Sequence, residues 1–420
     1  MSSSSDPIKS FRLNRRRLLQ AAAASPFILL PGVQSGPAFA QGSRKEPVRI
    51  GLVAPFTGAT GAYGPDMEKA ARITVKLIND AGGILGGRPL EVFAEDSESN
   101  PTAGVAAVRK LLEANRVKAI IGFWGTPIAM ATRQIILDAD KVMMVSCSGD
   151  DVTAGDTRGL IWRYQAKSTQ WGPAAARILL KQGFKKVSVL ALQNPFVGSM
   201  VEPFEREIKA NGGQILRRIY YNPDQPSYRA EVQQVFGENP QAVFAPALLT
   251  DFSSIAKEVY RGGFDAQILS LAIAADAEGR FLSSVGAEVA EGIHHFQPAP
   301  PIGSPNYDRF VHLMGGKPGT LYFFAGNTHD QVATIALAIE KAGTLETTRW
   351  AAQISEVTNP PGTKTDDVVE ALRLVRAGKP LDFIGAGSDC DFNSNGDQIN
   401  RYFLHQRISG GKQVFVETLV

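Results

Sequence analysis

The run "IIGFWGTPIAM", Ile120 to Met130, carries the residues best placed for chemistry. An apolar, strand-like segment stops at Gly122, and a helix-like one opens at Thr126-Pro127. With Thr126 as N-cap and Pro127 at the first helical position, proline takes the one place where a missing N–H costs nothing. The remaining first-turn N–H groups and the positive end of the helix dipole then form a seat for a carboxylate. Gly122 and Gly125 let a ligand approach the backbone, and Trp124 could wall the pocket. A plain capped helix with a core tryptophan would use the same residues.

Two further loops follow strand-like runs. In "SCSGDD", Ser146 to Asp151, Ser146, Ser148 and the Gly149 backbone offer donors, and Asp150 offers a carboxylate suited to an ammonium group. A solvated turn is the alternative. In "TGATGAYGPD", Thr57 to Asp66, Gly58, Gly61 and Gly64 suggest a dinucleotide loop, but the spacing is G-x-x-G-x-x-G where that fold needs G-x-G-x-x-G.

Catalytic constellations are missing from the pattern. His294, His295, His312, His329 and His405 show no metal-ligand spacing, and His294 and His295, adjacent in a strand-like run, face opposite ways. Ser254-x-x-Lys257 matches a β-lactamase element without its companion motifs. In "DFNSNGDQINRY", Asp391, Asn393, Asn395 and Gly396 fit the first half of a calcium loop, yet Tyr402 stands where the chelating glutamate belongs. Neither a nucleophile–base pair nor a metal cluster is present, so a binding protein without cofactor is expected rather than an enzyme.

These loops need a scaffold, and the chain supplies an alternating one. "VRIGLVA" reads as a buried strand, and Met67, Ala70, Ala71, Thr74, Leu77 and Ile78 recur at helical spacing until Gly82-Gly83. Strand "LEVFAED", helix Pro101 to Glu113, strand "KAIIGF", helix Thr126 to Asp138 and strand "VMMVS" follow. The rhythm restarts after "LIWRYQAKS" with a helix Thr169 to Gln182, strand "KVSVLAL", a helix around Ser199 to Asn211 and strand "QILRRIYY". Helix Tyr228 to Phe236, "QAVFAPA", helix Asp251 to Arg261 and "QILSLAI" complete it. Helices at about Pro305 to Met314, Phe323 to Lys341, Thr348 to Val357 and Asp366 to Ala377 precede two terminal strands. Such alternation predicts an α/β fold of two doubly wound parallel-sheet lobes.

Length and charge agree with that reading. A chain of 420 residues with 44% hydrophobic and 20% charged residues suits two domains plus a leader, at roughly 100–200 residues per domain. Met1 to Arg17 is polar and basic, Leu18 to Leu30 apolar, and Ala38-Phe39-Ala40 a small-x-small site, as in a signal peptide cut after Ala40. "NRRRLLQ" resembles the twin-arginine export motif, with an ordinary secretory signal as the alternative. Residues 1–40 hold five basic residues and one acidic, so setting them aside takes the formal net charge from +3 to −1. That offers no footprint for nucleic acid. Cys147 and Cys390 could pair in an oxidising compartment or remain buried free thiols.

The stretches "IGLVAPFTGATGAYGPDMEKAARITVKLINDAGGILGGRPLEV", "SESNPTAGVAAVRKLL", "AIIGFWGTPIAMAT" and "DFNSNGD" resemble the periplasmic substrate-binding proteins of branched-chain amino acid ABC transporters, the leucine/isoleucine/valine-binding protein family. The resemblance implies a type I periplasmic binding fold, with lobe 1 from 48–165 plus 298–400, lobe 2 from 166–297 plus 401–420, and a hinge of about three crossings between them. It also implies a small ligand between the lobes: an amino acid, an amide or an organic acid. Thr126 matches a serine that holds the ligand's carboxylate, Tyr63 a pocket tyrosine, and Phe196 and Phe324 aromatics that close over it. Leu248 falls where the family often has tyrosine. The family's acid for the ligand ammonium aligns with Ala274, and Asp276 is the nearest carboxylate. The 146–151 loop departs from the family's pattern. The function implied is a periplasmic receptor delivering its solute to membrane permease subunits. A sensor presenting the solute to a membrane receptor is the alternative, and a periplasmic hydrolase a more distant one.

Overall fold

The computed structural model describes residues 45–58, 60–275, 279–399 and 402–419. The leader with Arg15-Arg16 and Ala38-Phe39-Ala40, and the acid Asp276, lie outside the described residues.

Fourteen strands are described. β1 (Val48–Ala54), β2 (Leu90–Asp96), β3 (Ala119–Gly122), β4 (Val142–Val145) and β5 (Ile161–Arg163) form a wholly parallel sheet in the order β2-β1-β3-β4-β5. β6 (Lys186–Leu192), β7 (Gln214–Tyr221), β8 (Ala242–Phe244), β9 (Gln267–Leu271) and β10 (His294–Ala299) repeat that winding as β7-β6-β8-β9-β10. β11 (Thr363–Thr365) and β12 (Leu381–Phe383) make a small parallel pair. β13 (Tyr402–Ser409) and β14 (Lys412–Leu419) add to the second sheet antiparallel beside β10.

The elements form for local reasons. β1 is apolar and buried on both faces apart from Arg49 near its start, as a strand covered by helices on both sides must be. The helix Pro101–Glu113 starts where Asn100 accepts the N–H groups of Thr102 and Ala103 and Pro101 needs no acceptor. The helix Pro195–Ala210 begins four residues earlier than the apolar periodicity suggests, because Asn194 caps Val197 N–H at 2.7 Å ahead of Pro195. The single helix expected over Thr348 to Val357 is two, Thr347–Ala351 and Ile354–Thr358. A tight turn joins them, with Gln353 N–H on Trp350 C=O at 2.9 Å, so that Trp350 and Ile354 are both fully buried.

Two large apolar cores result. One gathers residues of β1 to β5 with the helix Ala325–Ala342 and the segment to Phe392; the other gathers β6 to β10 with Phe403, Ile408 and Leu419. The chain passes between the sheets at 164–167, at 300–304 and between Gln398 and Tyr402. In each sheet the strand order reverses between the first strand and its two neighbours, and ligands of doubly wound folds sit beyond the carboxyl ends of strands at such a reversal. That places the loops after β1 and β3, and those after β6 and β8, at the two switch points.

Candidate functional site

The loop after β1 is held by carboxylate and hydroxyl caps from the end of β2. Asp96 accepts the N–H groups of Phe56 at 2.9 Å and Thr57 at 3.3 Å, and the Thr57 hydroxyl at 2.6 Å. Burial works against its ionisation, but those bonds and that from Glu98 N–H outweigh it and hold its pKa below the ordinary value. Ser99 accepts Thr60 N–H at 3.2 Å and donates to Thr57 C=O at 3.0 Å. Gly64 N–H closes the loop on Pro55 C=O at 2.9 Å. The glycine-rich spacing thus serves a tied-down loop that delivers Tyr63.

Tyr63 meets three other aromatic rings. Its centroid lies 5.6 Å from Trp124, 5.0 Å from Phe324 and 6.5 Å from Phe323, and Trp124 lies 6.1 Å from Phe324. The edge contacts match the preferred geometry of aromatic pairs. Phe324 sits at φ 63°, in the left-handed region, as the residue ahead of the helix Ala325–Ala342. A bulky residue rarely adopts that conformation, and such strain collects at ligand clamps.

The loop after β3 corrects one detail of the expected cap. The helix is Thr126–Asp138 and its N-cap is Gly125 at φ 98°, so Thr126 is the first helical residue and Pro127 the second. Thr126 Oγ1 accepts Gly149 N–H at 3.0 Å instead of capping its own helix. Among the described residues, no group accepts the N–H of Trp124, Gly125 or Thr126. These donors stand at the positive end of a 13-residue helix beside the aromatic cluster.

The 146–151 loop divides into buried and facing parts. Ser146 is fully buried: its N–H donates to Gly122 C=O at 2.8 Å and its hydroxyl accepts from Gln331 at 3.2 Å, so it supports the site from behind. Ser148 C=O accepts Ser168 N–H at 2.7 Å and Ser168 Oγ–H at 2.8 Å, while the buried Ser148 hydroxyl has no partner among the described residues. Gly149 packs against Thr126. Asp150 is half-buried and its carboxylate lies 3.5 Å from Thr169 N–H, at the start of the helix Ser168–Lys181. Cys147 and Cys390 are both buried free thiols, and burial pushes the Cys147 thiol up to about 11 against the pull of the Arg163 charge.

On the second sheet, Phe196 is half-buried with its ring edge-on to Trp171 at 5.6 Å, and Leu248 is 40% exposed ahead of the helix Leu249–Gly262. Both follow the strands that flank the reversal. Ala274 is fully buried. A small cavity of about 20 Å3 is lined by all three connections between the sheets, with Phe323 and Phe324 in its wall. Phe324 therefore belongs to the aromatic cluster and also borders the connections.

The sequence reading missed Phe323 and the polar run Asn327 to Gln331. That run sits at the buried start of the helix Ala325–Ala342 and ties the site together. Asn327 donates to Tyr164 C=O, and Gln331 Oε1 accepts Gly122 N–H at 3.0 Å. Asp330 accepts Ala386 N–H at 2.6 Å and Gly387 N–H at 2.8 Å, and burial nevertheless raises its pKa to about 7. His329 shares a 2.7 Å hydrogen bond with Thr74, and burial lowers its pKa to about 4. Five consecutive polar or charged side chains beginning an otherwise apolar helix are the signal that was available. The half-matched calcium loop is a tight turn: Asn393 Oδ1 accepts the N–H groups of Asn395 at 2.9 Å and Asp397 at 3.1 Å. Among the described residues, no group of three His, Cys, Asp or Glu side chains could hold a metal ion, and no helix is long and apolar enough to cross a membrane.

Two doubled parallel sheets with loops converging at their switch points define a two-lobed binding protein. The profile of the periplasmic binding protein family matches residues 47–368, and the chain belongs to that family. It is 24% identical over 383 residues to Leu/Ile/Val-binding protein homolog 3 of Brucella melitensis, covering 88% of this chain and 94% of the relative. Among solved structures, the leucine-binding protein of Thermotoga maritima superposes with a TM-score of 0.68 at 21% identity, covering 89% of this chain and 98% of its own. A solute-binding protein of R. palustris in complex with 4-hydroxybenzoate gives 0.66 at 16% identity, over 89% and 97% of the two chains.

Proposed function

We propose that the protein is a periplasmic solute receptor that binds a small carboxylated ligand between its lobes and delivers it to ABC transporter permease subunits. The observation that carries this reading is the set of Trp124, Gly125 and Thr126 N–H groups at a helix start, without an acceptor among the described residues and flanked by the Tyr63–Trp124–Phe324 cluster. A carboxylate fits the donors, and an apolar or aromatic body fits the rings. Phe196 and Leu248 close over that body from the second lobe, Ser148 and Gly149 border the carboxylate, and Asp150 or Asp276 takes an ammonium group where the solute has one. The branched-chain amino acids in one relative's name and the 4-hydroxybenzoate held by a structural neighbour each carry a carboxylate on an apolar body, which supports the same class here. The function is binding without turnover. Export through the twin-arginine-like leader, cut after Ala40, brings the receptor to the periplasm.

The test is a thermal-shift screen of branched-chain amino acids, amides and hydroxybenzoates, followed by calorimetric titration of each that stabilises, since tight binding raises stability by mass action. Stoichiometric binding that weakens at least about tenfold is expected in Trp124→Ala, which removes one aromatic wall, and in Thr126→Val, which strips Gly149 N–H of its acceptor and so shifts the loop bordering the seat. Binding unchanged in both variants would place the pocket elsewhere.

A further inference from the structure

Arg163, at the end of β5, is completely buried, and every hydrogen bond recorded for its guanidinium runs to one of two places. Nη1 donates to Cys147 C=O at 2.8 Å, and Nη2 to Asp150 C=O at 3.4 Å and the Thr153 hydroxyl at 3.1 Å, so one side of the fork holds the 147–153 loop. Nε donates to Asp397 at 2.8 Å. The same carboxylate accepts the Thr153 hydroxyl at 2.8 Å and pairs with Lys167 Nζ at 3.2 Å. Burial works against the charge of Asp397, but Arg163, Thr153 and Lys167 prevail and keep its pKa below the ordinary value.

The placement of these three residues in the fold is what matters. Asp397 is fixed to the first sheet, since Arg163 N–H donates to Gly396 C=O at 2.8 Å and Gln398 N–H to Arg163 C=O at 3.2 Å. Lys167 lies in the first connection between the sheets, where it caps the Ser168–Lys181 helix that packs in the second core. Its ion pair therefore links the first connection to the start of the third, where a rotation of one lobe against the other that displaces Lys167 would change it. Meanwhile Ser168, one residue on, donates twice to Ser148 C=O in the ligand loop.

We propose that Arg163, Asp397 and Lys167 couple the hinge to the ligand loop: Arg163 and Asp397 are positioning residues that hold the 147–153 loop, and Lys167 ties the lobe angle to the same carboxylate. This rests on the receptor reading for its biological use, but the coupling is testable without any solute. A buried charge pair broken on one side leaves an uncompensated charge, whereas Lys167, whose side chain is 26% exposed, can be neutralised without stranding one, because Arg163 still balances Asp397.

The experiment uses the full chain with no solute added. In Asp397→Asn, hydrogen exchange of the 147–153 amides rises at least about tenfold, as expected for loss of a charge-assisted hydrogen bond, while β6 and β8 keep their protection. In Lys167→Gln, electron–electron distance distributions between spin labels at Lys76→Cys and Arg206→Cys shift and lose the salt dependence of the wild type, and Lys167→Arg restores both. Should Asp397→Asn not fold, the Lys167 series decides. Unchanged 147–153 exchange in a folded Asp397→Asn protein, or Lys167→Gln distributions that overlay the wild type at low and high salt, would overturn the coupling. Either result would leave the ligand assignment standing, and failure of the solute screen would leave the coupling standing.

Discussion

Gly149→Ala isolates the contact on which the carboxylate seat depends. Gly149 has φ −59° and ψ 124°, a conformation any L-residue adopts, so the backbone gives no reason for glycine there. The reason is space: an added Cβ would lie 2.2 Å from Thr126 Cγ2, 2.9 Å from its Oγ1 and 3.1 Å from its Cβ. Such overpacking costs about 1–3 kcal/mol, relieved by turning the Thr126 side chain out of its bond with Gly149 or by moving the helix start or the loop. Thr126→Ser removes the atom at 2.2 Å and keeps the hydroxyl that accepts Gly149 N–H. Alone, that change should cost less than the ~0.8 kcal/mol of a fully buried methylene, since Thr126 is half-buried. The double variant should therefore return to within about 1 kcal/mol of the wild type, a coupling in the range found for residues in contact. Urea unfolding of the four proteins gives the stabilities, and titration with L-leucine and with 4-hydroxybenzoate follows the seat. Binding should fall in Gly149→Ala and recover in the double variant. A single variant within about 0.5 kcal/mol of the wild type, or a double variant no better than the single, would refute this packing.

Gln331→Leu should destabilise by about 1–3 kcal/mol, because the buried Gly122 N–H loses its acceptor, and should weaken ligand binding although Gln331 reaches the site only through Gly122 and Ser146. Unchanged affinity by titration would show that the strand end does not need that support. Asp330 has a folded pKa of about 7 against an ordinary 3.8, so its neutral form contributes stability that is full below the lower value and lost as pH rises through the upper one. The gap corresponds to about 4 kcal/mol between the protonation states. His294 and His329, both lowered to about 4 by burial, act in the opposite sense, gaining stability as pH rises towards 6.5. The difference between wild type and Asp330→Asn in urea midpoint against pH therefore isolates the acid: the wild type should lose stability relative to the variant from about pH 4 to pH 7, and parallel curves would contradict a protonated Asp330.

Much of the scaffold was legible because its determinants are local. Helix Thr126–Asp138 and strands β1, β2, β6 and β7 follow from period and punctuation, since proline and the caps act within one turn. β5 was not foreseen, because three residues are too few to show a period. Trp124 and Thr126 stand where the sequence marks a strand end and a helix start, whereas Tyr63 is singled out by the family resemblance.

What joins these residues was not readable. Gln331 reaches Gly122 across 209 positions, and Asp397 reaches Arg163 across 234. A buried polar side chain looks, in sequence, like a solvated one until its partner is known. By itself the sequence determined the alternation of strands and helices, the places where they end and the donors left free at a helix start, because these depend on neighbours along the chain. Only the tertiary structure decided that Thr126 binds Gly149 rather than its own helix, that Ser146 faces inward and that a half-formed calcium loop holds an arginine, because burial selects partners by distance in space and charges left without one are too costly to keep.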